Sequence, residues 1–285
     1  MIALSGSHTA VCRFLRTSFT CFAGTRCILL AALALGACGD APEQIEISRV
    51  AQTILGGVVD NAHPEVMLLS SRQGFVCTGT VIRTEQERGF LLTAAHCVTE
   101  DAPRGRGVVT LAAEDFLVVP GTDVAESRRA FSVESVSVEP SYDGSFAAGD
   151  VAIVRFFFGK GAAPGAIAPL SSGEDNLAID DELLLVGYGQ SDVNDANSQR
   201  RRVERTLGEL DRELLAYTQE DGKGACFGDS GGPVFVEVGG EERVAGVISS
   251  SVGADEDCSG GVGLAMRVSH FDAFIEAVLT GQFPD

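Results

Sequence analysis

The chain has 285 residues, of which 45% are hydrophobic and 21% are charged, a composition typical of folded proteins and unlike that of disordered or fibrous ones. It carries 40 acidic and 21 basic side chains, which gives a net charge of −19. Because so negative a surface repels phosphate backbones, we do not expect nucleic acid as a partner.

The first 37 residues have the pattern of an export signal. They hold three arginines (Arg13, Arg16 and Arg26) and no carboxylate, and they end in the apolar run ILLAALALGA, residues 28–37. This run is too short to span a bilayer as a helix but suits the core of a signal peptide. We expect no transmembrane helix in the rest of the chain.

The end of this leader carries a motif for lipid attachment. Leu35-Gly36-Ala37-Cys38 resembles the lipobox of bacterial lipoproteins. The resemblance implies a lipoprotein signal peptide (1–37), a lipid on Cys38 that tethers the protein to a membrane, and a linker or propeptide (38–53). It places the protein in the bacterial cell envelope, at the outer membrane or surface. The alternative is an ordinary secretory signal, cleaved near Gly36 or Ala37, and a secreted protein.

The rest of the chain has the pattern of antiparallel β-structure. Short segments rich in valine and isoleucine alternate with glycine and polar clusters, as strands alternate with turns. Examples of these segments are Val66–Ser70, Phe75–Ile82, Phe90–Thr93, Val108–Leu111, Phe116–Val119, Val133–Val138, Val151–Phe158, Leu183–Val186, Val234–Val238 and Val244–Ser249.

Two further features divide and close this body. The polar stretch 171–181 separates the strands into two comparable halves. Near the C-terminus, apolar residues from Phe271 to Leu279 recur at helical spacing, with Ser269 as the expected N-cap and Gly281 as the stop. The sequence therefore predicts two β-units and a closing helix.

The cysteines indicate disulfides. Of the 8 cysteines, Cys77, Cys97, Cys226 and Cys258 lie in the body, and the others lie in the leader or at the lipid site. In an exported, oxidising context these four predict two bridges, with three connectivities open. The absence of a close cysteine pair argues against a zinc site.

Three motifs carry a histidine, an aspartate and a serine in that order. They are Leu92-Thr93-Ala94-Ala95-His96-Cys97, Asp150-Val151-Ala152-Ile153-Val154 and Gly228-Asp229-Ser230-Gly231-Gly232-Pro233. They resemble the motifs of the trypsin-like, chymotrypsin-fold serine proteases. Ile54-Leu55-Gly56-Gly57 is similar to that family's mature N-terminus, and Gly187-Tyr188-Gly189 to its glycine-aromatic-glycine element.

This resemblance implies both a fold and a domain organisation. The fold is all-β, with two antiparallel six-stranded barrels of the chymotrypsin type and a C-terminal α-helix. The protease domain would span 54–285, with the first barrel at about 54–170, the second at about 171–268 and the helix at about 270–280.

The same resemblance implies a serine endopeptidase that acts on proteins or peptides through an acyl-enzyme. A serine hydroxyl near neutral pH needs a base to take its proton, and an imidazole is suited to that task. His96 would be the base, Asp150 would orient it, and Ser230 would be the nucleophile. The N–H groups of Gly228 and Ser230 would form the oxyanion hole. No metal or organic cofactor is expected.

The resemblance also implies two disulfides and a specificity pocket. Cys77 would pair with Cys97 and Cys226 with Cys258. Gly224, Ser251 and Gly263 would line the pocket. Because no carboxylate stands at Gly224 to balance a buried cation, we expect cleavage after uncharged, apolar residues. The segment 249–251 would pair with the substrate as an extra strand.

Activation in the family depends on a new N-terminus. Here the freed amino group of Ile54 would pair with Asp229. The residues before Ile54 are Gln52 and Thr53, and Arg49 lies too far upstream. We therefore expect an unidentified activating protease that is not trypsin-like.

A catalytically silent binding or surface-interaction lipoprotein on the same fold is the alternative function. The chain keeps the triad and the oxyanion glycine, which argues against it. Other charged residues are expected to be structural or solvent-facing (His63 and His270) or to lie in solvated segments (200–202 and 255–257).

Overall fold

The computed structural model describes residues 54–103, 107–146, 148–189, 199–255 and 258–283. The predicted leader, Cys38 and the linker up to Thr53 therefore lie outside the described residues, as do Glu256 and Asp257. Within these ranges, no helix has the length and apolar character needed to cross a membrane.

The described chain consists of short strands and one α-helix. The elements are β1 (Val58–Val59), β2 (Val66–Ser71), β3 (Val76–Glu85), β4 (Arg88–Thr93), β5 (Thr99–Asp101), β6 (Val108–Thr110), β7 (Phe116–Val119), β8 (Phe131–Val138), β9 (Ala152–Phe157), β10 (Glu182–Gly187), β11 (Arg201–Leu210), β12 (Leu214–Thr218), β13 (Pro233–Val238), β14 (Glu241–Val252), β15 (Val262–Arg267) and α1 (Asp272–Leu279).

Six strands close the first barrel, in the order β2-β3-β4-β9-β8-β7. Neighbouring strands are antiparallel, and β5 pairs with β6 as a separate hairpin. Valine, leucine and isoleucine side chains dominate its core, and consecutive residues such as 66–69 in β2 are buried on both faces of the sheet.

The second barrel contains β11-β10-β13-β14-β15-β12 and closes where β12 pairs back with β11. The expected fold, two six-stranded antiparallel barrels followed by a helix, is confirmed. One strand crosses between the halves, since β1 precedes the first barrel in sequence but pairs with β11 of the second.

The arginine run 200–202 is not a solvated loop, so that prediction is wrong. Arg200 is 2% exposed, and Arg201 and Arg202 belong to β11. The guanidinium of Arg200 is buried because it donates to the Asp60 carboxylate (3.0 Å) and to the Val66 carbonyl oxygen (3.0 Å). A buried cation is tolerated when it is paired and hydrogen-bonded in this way.

The C-terminal helix is also capped differently from the prediction. α1 begins at Asp272, and Phe271 occupies the N-cap position without a side-chain hydrogen bond. Ser269 lies in the preceding 3₁₀ turn (Val268–Phe271), where its hydroxyl donates to Asp175. Gly281 adopts a φ of 71° just beyond the helix, as expected of a stop.

Candidate active site

The first barrel brings His96 and Asp150 to one edge. β4 ends at Thr93 and β9 begins at Ala152, and these two residues are directly paired. The chain leaving β4 and the chain entering β9 therefore emerge side by side. His96 follows in a 3₁₀ turn (Ala95–Cys97).

Asp150 holds His96 through two contacts. One carboxylate oxygen accepts the backbone N–H of His96 (2.8 Å), and the other lies 2.8 Å from Nδ1 of the ring. The hydroxyl of Ser249 donates to the same second oxygen at 2.5 Å. Asp150 is fully buried, whereas 21% of the His96 side chain is exposed. The ring is thus fixed at Nδ1 and open towards the cleft at Nε2.

Ser230 reaches this edge because its loop is fastened to β3 of the first barrel. The backbone N–H of Thr78 donates to the Ser230 carbonyl oxygen (2.8 Å), and the Thr78 hydroxyl donates to the Gly228 carbonyl oxygen (2.8 Å). Gly231 has a φ of 82°, and a Cβ there would collide with the Thr78 carbonyl oxygen. A glycine is therefore required for this close approach.

The serine and the histidine lie next to each other across the Cys77–Cys97 disulfide. The Sγ atom of Cys97 is 3.7 Å from His96 Nε2 and 3.7 Å from the Ser230 carbonyl oxygen. Within the described residues, the Ser230 hydroxyl makes no hydrogen bond of its own. Its proton is not committed to another group.

Two backbone amides beside Ser230 are free to bind an anion. Among the residues that the structure describes, neither the N–H of Gly228 nor that of Ser230 has a hydrogen-bond acceptor. Gly228 adopts a φ of 97°, a conformation that favours glycine. Unpaired backbone N–H groups of this kind are the donors that can stabilise a developing oxyanion.

Asp229 is buried behind this loop. Its carboxylate accepts the N–H groups of Gly189 (2.7 Å) and Cys226 (2.9 Å), and side chains on Gly187 or Gly189 would collide with it. Complete burial raises the pKa of Asp229 to about 7, against the opposing effect of the two amide hydrogen bonds. No cationic side chain pairs with it within the described ranges.

The residue expected to become the new N-terminus is already packed in the core. Ile54 is 0% exposed and belongs to the apolar cluster of the second barrel. The next residue, Leu55, exchanges two backbone hydrogen bonds with Gly224 (3.1 and 3.2 Å). This segment is therefore held against the loop that precedes Ser230.

A disulfide and a strand pairing connect the segments that carry the residues of the expected specificity pocket. The Cys226–Cys258 disulfide joins the loop carrying Gly224 to the segment before β15. Ser251 in β14 and Gly263 in β15 are directly paired. Ile248 still exchanges backbone hydrogen bonds with Gly231 and Gly232, but beyond it the edge of β14 that faces β13 has no strand partner among the described residues, which leaves 249–251 open to an extended peptide.

Several residues of the site were not predicted from the sequence. Ser249 was assigned only to a substrate-binding strand, and nothing local indicates its bond to Asp150. Phe146, 48% exposed, packs edge-on against the His96 ring at 5.1 Å. Thr78 joins the two barrels, although its position in β3 carries no motif. Each role depends on a neighbour far away in sequence.

One cluster has the spacing of a metal site but not the chemistry. Ligand atoms of Cys77, His96 and Cys97 lie within 4.8 Å of one another. Both sulfurs belong to the Cys77–Cys97 disulfide, so neither can act as a thiolate ligand.

Comparison with known proteins assigns the family. The model of the family named Trypsin matches residues 54–275. The chain is 28% identical over 205 residues to the CLIP domain-containing serine protease B4 of Anopheles gambiae, covering 63% of this chain and 56% of that protein. It is 26% identical over 236 residues to the serine protease Hayan of Drosophila melanogaster, covering 72% of this chain and 34% of that protein.

A third relative is a snake venom serine protease of Crotalus durissus durissus, 26% identical over 190 residues, which cover 61% of this chain and 69% of that protein. The aligned region thus spans about half and about a third of the length of the two insect relatives. None of these three relatives is bacterial, so they give no support to the bacterial origin implied by the lipobox. With the family model matching most of the chain and the site geometry in agreement, the chain belongs to the trypsin family of serine proteases.

Proposed function

We propose that the chain is a serine endopeptidase that hydrolyses peptide bonds through His96, Asp150 and Ser230. The observation that carries this proposal is the fully buried Asp150 carboxylate, which binds both the backbone N–H and Nδ1 of His96 beside Ser230. Such a carboxylate fixes the tautomer in which Nδ1 carries the proton and Nε2 is free to accept one.

The reaction proceeds in two halves. In the first, Nε2 of His96 takes the proton of the Ser230 hydroxyl as its oxygen attacks the substrate carbonyl, and the imidazolium is stabilised by Asp150. His96 then returns the proton to the leaving amine, and the acyl group remains on Ser230. In the second half, water attacks the acyl carbonyl while His96 takes its proton, the bond to the Ser230 oxygen breaks, and His96 returns the proton to Ser230 as the carboxylic acid product leaves.

The oxyanion formed in each half would bind to the N–H groups of Gly228 and Ser230. Their lack of acceptors among the described residues supports this role. Loss of one such donor costs about 3 kcal/mol of transition-state stabilisation.

Activation would follow cleavage between Thr53 and Ile54 by a protease that does not require arginine or lysine. The new ammonium group of Ile54 would pair with Asp229, whose buried carboxylate makes no ion pair with a described residue. A buried carboxylate without a cation is costly, so the pair would stabilise the loop that carries the oxyanion donors.

Substrates would be proteins or peptides cleaved after uncharged, apolar residues. Gly224 supplies no carboxylate where a cationic side chain would need one, and the open edge of β14 at 249–251 would bind the substrate backbone as a strand.

We further infer that the protein is exported, carries a lipid on Cys38 and belongs to a bacterial envelope. The support is the basic leader, the apolar run 28–37 and the sequence LGAC that ends at Cys38. Metabolic labelling with a radioactive fatty acid would mark the wild type and not a Cys38→Ala variant. Equal labelling of both would refute the lipid site.

The test of the enzymatic proposal is the intact mass of the purified protein before and after a fluorophosphonate, together with its N-terminal sequence. We expect one adduct on Ser230 in chains that begin at Ile54, and none in a Ser230→Ala variant. Ser132→Ala, which changes an exposed serine on β8, is the matched control and should label fully. No adduct on chains cut before Ile54 would refute the proposal and favour a silent binding protein.

A further inference from the structure

Two side chains that the sequence did not single out lie beneath the expected specificity pocket. They are Tyr217 in β12 and Gln219 in the turn that follows. Both are 0% exposed. We call Gly224 and Gly263 the pocket floor, because they are the buried members of the three residues expected to line the pocket, whereas the third, Ser251, is exposed.

Tyr217 covers the Gly263 side of the pocket floor. In the sheet, Ser251 is directly opposite Gly263, and Gly263 is directly opposite Tyr217. Residues directly opposite in antiparallel strands project from the same face, so these three share the face that borders the pocket. Gly263 has no side chain to separate its neighbours. A methyl group built on it would lie 2.7 Å from the Tyr217 hydroxyl oxygen and would collide with the ring.

Gln219 covers the Gly224 side in a similar way. A methyl group built on Gly224 would lie 2.6 Å from Cγ of Gln219. The Gln219 side chain is held in place, because its oxygen accepts the N–H of Ala225 (2.8 Å) and its nitrogen donates to the Cys258 carbonyl oxygen (3.3 Å). The amide therefore connects the two walls of the pocket at their base.

Burial changes sharply along the pocket. Gly224, Gly263 and the two side chains beneath them are buried, whereas Ser251 is exposed and Ser230 is partly exposed. Solvent therefore reaches the level of Ser251 but not the pocket floor. A deep pocket would leave its floor accessible to water.

We propose that Tyr217 and Gln219 shorten the specificity pocket, so that it accepts short uncharged side chains such as those of alanine and valine. This inference rests on the proposed function and names its substrate class more narrowly. A phenylalanine side chain would have to displace a tyrosine ring that packs in the core of the second barrel. An arginine would in addition meet only the neutral phenol and amide, with no carboxylate to balance its charge.

The unpartnered hydroxyl of Tyr217 agrees with this assignment. It is buried and has no hydrogen-bond partner among the described residues, an arrangement that costs stability in a barrel core. A phenylalanine would fill the same volume without that cost. The Tyr217→Phe variant therefore separates the volume of the ring from the chemistry of its hydroxyl.

The experiment uses the full chain, cut before Ile54 through an engineered processing site and titrated with a fluorophosphonate to count active molecules. The probes are peptide anilides that differ only at the residue before the cleaved bond, with alanine, valine, leucine, phenylalanine or arginine there. We expect kcat/KM for alanine and valine to exceed that for phenylalanine and arginine by about tenfold or more.

Variants test the residue itself. In Tyr217→Ala, we expect the phenylalanine-to-alanine ratio of kcat/KM to rise by about tenfold, because the ring no longer fills the pocket. In Tyr217→Phe, the ratio should stay within about twofold of the wild type, since the ring is kept. Leu215→Ala is the matched control, because Leu215 is equally buried on the same face of β12 but lies opposite Ala265, away from the floor.

The outcomes separate this inference from the proposed function. Fluorophosphonate labelling with a wild-type preference for phenylalanine or arginine would overturn the shortened pocket and leave the protease assignment intact. The wild-type series alone decides this point, even if Tyr217→Ala does not fold. A failure of the cut wild type to label would overturn both.

Discussion

Replacing Arg200 by methionine would remove the guanidinium that neutralises the buried Asp60 carboxylate. In the wild type, Nε of Arg200 donates to Asp60 at 3.0 Å, and the two side chains are 2% and 0% exposed. Burial alone would raise the pKa of Asp60, but the hydrogen bonds and charge of His63 and the hydrogen bond of Arg200 hold it well below its ordinary range. The carboxylate would thus remain charged and lose one of its three cationic partners, the others being His63 and the more distant Arg202 (3.9 Å).

The expected cost follows from this geometry. Removal of one member of a buried ion pair costs about 3–5 kcal/mol, because the remaining charge is left without compensation. His63 would still contact Asp60 at 2.8 Å, which places the Arg200→Met variant near the lower end, at about 3 kcal/mol. Such a loss is a large share of the free energy of unfolding of a typical domain, which is about 5–15 kcal/mol.

Urea unfolding at pH 7 measures this free energy. The chain has no tryptophan, so far-UV circular dichroism is the suitable signal. Arg83→Met is the control, because Arg83 pairs with Glu85 at 3.4 Å while 42% and 54% of the two side chains are exposed. An exposed pair is worth less than about 1 kcal/mol. Similar losses in the two variants would refute the argument that the Arg200 pair stabilises the fold through its burial.

Three further predictions concern pH, packing and cleavage. Although burial lowers it, the pKa of His63 is raised overall by the hydrogen bond and charge of Asp60. The stability that charged His63 contributes is therefore complete below about pH 6.5 and is lost as the pH rises through the raised pKa of His63. The melting temperature of His63→Gln should depend less on pH than that of the wild type between about pH 6 and 9. Gly231→Ala forces a methyl group against the Thr78 carbonyl oxygen, and we expect a loss of about 2–4 kcal/mol in urea unfolding. In the uncut chain the pKa of Asp229 is raised from 3.8 to about 7, so stability falls as the pH rises between these values. Cleavage before residue 54 should remove that fall in stability, which is measured by comparing the urea midpoint at about pH 5 with the midpoint at about pH 7.5 in cut and uncut chains.

Each of these predictions has a control within the chain. His270→Gln should retain the wild-type pH slope, and an unchanged slope in His63→Gln would contradict the first prediction. Gly239→Ala imposes a similar backbone strain, with a φ of 63°, but no atom lies within 4 Å of the added methyl group. A loss in Gly239→Ala equal to that in Gly231→Ala would show that strain alone is responsible. For the third, Asp229→Asn should abolish the difference between cut and uncut chains.

The strands and motifs that were predicted from the sequence are those whose pattern is contained within a few neighbouring residues. The ten predicted apolar segments all fall on observed strands, because each has enough valine, isoleucine or leucine to indicate burial. β11 was missed because its buried residues, Val203 and Leu207, are separated by four positions and surrounded by charges. A bulge after Leu207 further interrupts the alternation that would have indicated a strand.

Roles that depend on distant neighbours were not visible in the sequence. Arg200 appeared as part of a charged run, since its partner Asp60 lies 140 positions away. Tyr217 appeared as an ordinary strand residue, and its place beneath the pocket depends on the register that sets it opposite Gly263. A register of this kind follows from the closure of the second barrel and not from local composition.

The coupling between the two barrels has a consequence for what the cleft can bind. The Tyr188 hydroxyl lies 2.5 Å from the Gly121 carbonyl oxygen and 3.1 Å from that of Val66, and Thr78 binds the Ser230 loop, so both halves are joined on either side of the cleft. Because these hydrogen bonds hold the described parts of the two barrels together, we expect no hinge closure around a substrate. In the proposed reaction, the entropy of ordering the peptide falls on the substrate alone. Extended loops of folded proteins and unfolded chains would then be cut, whereas helices would have to unwind before they could enter.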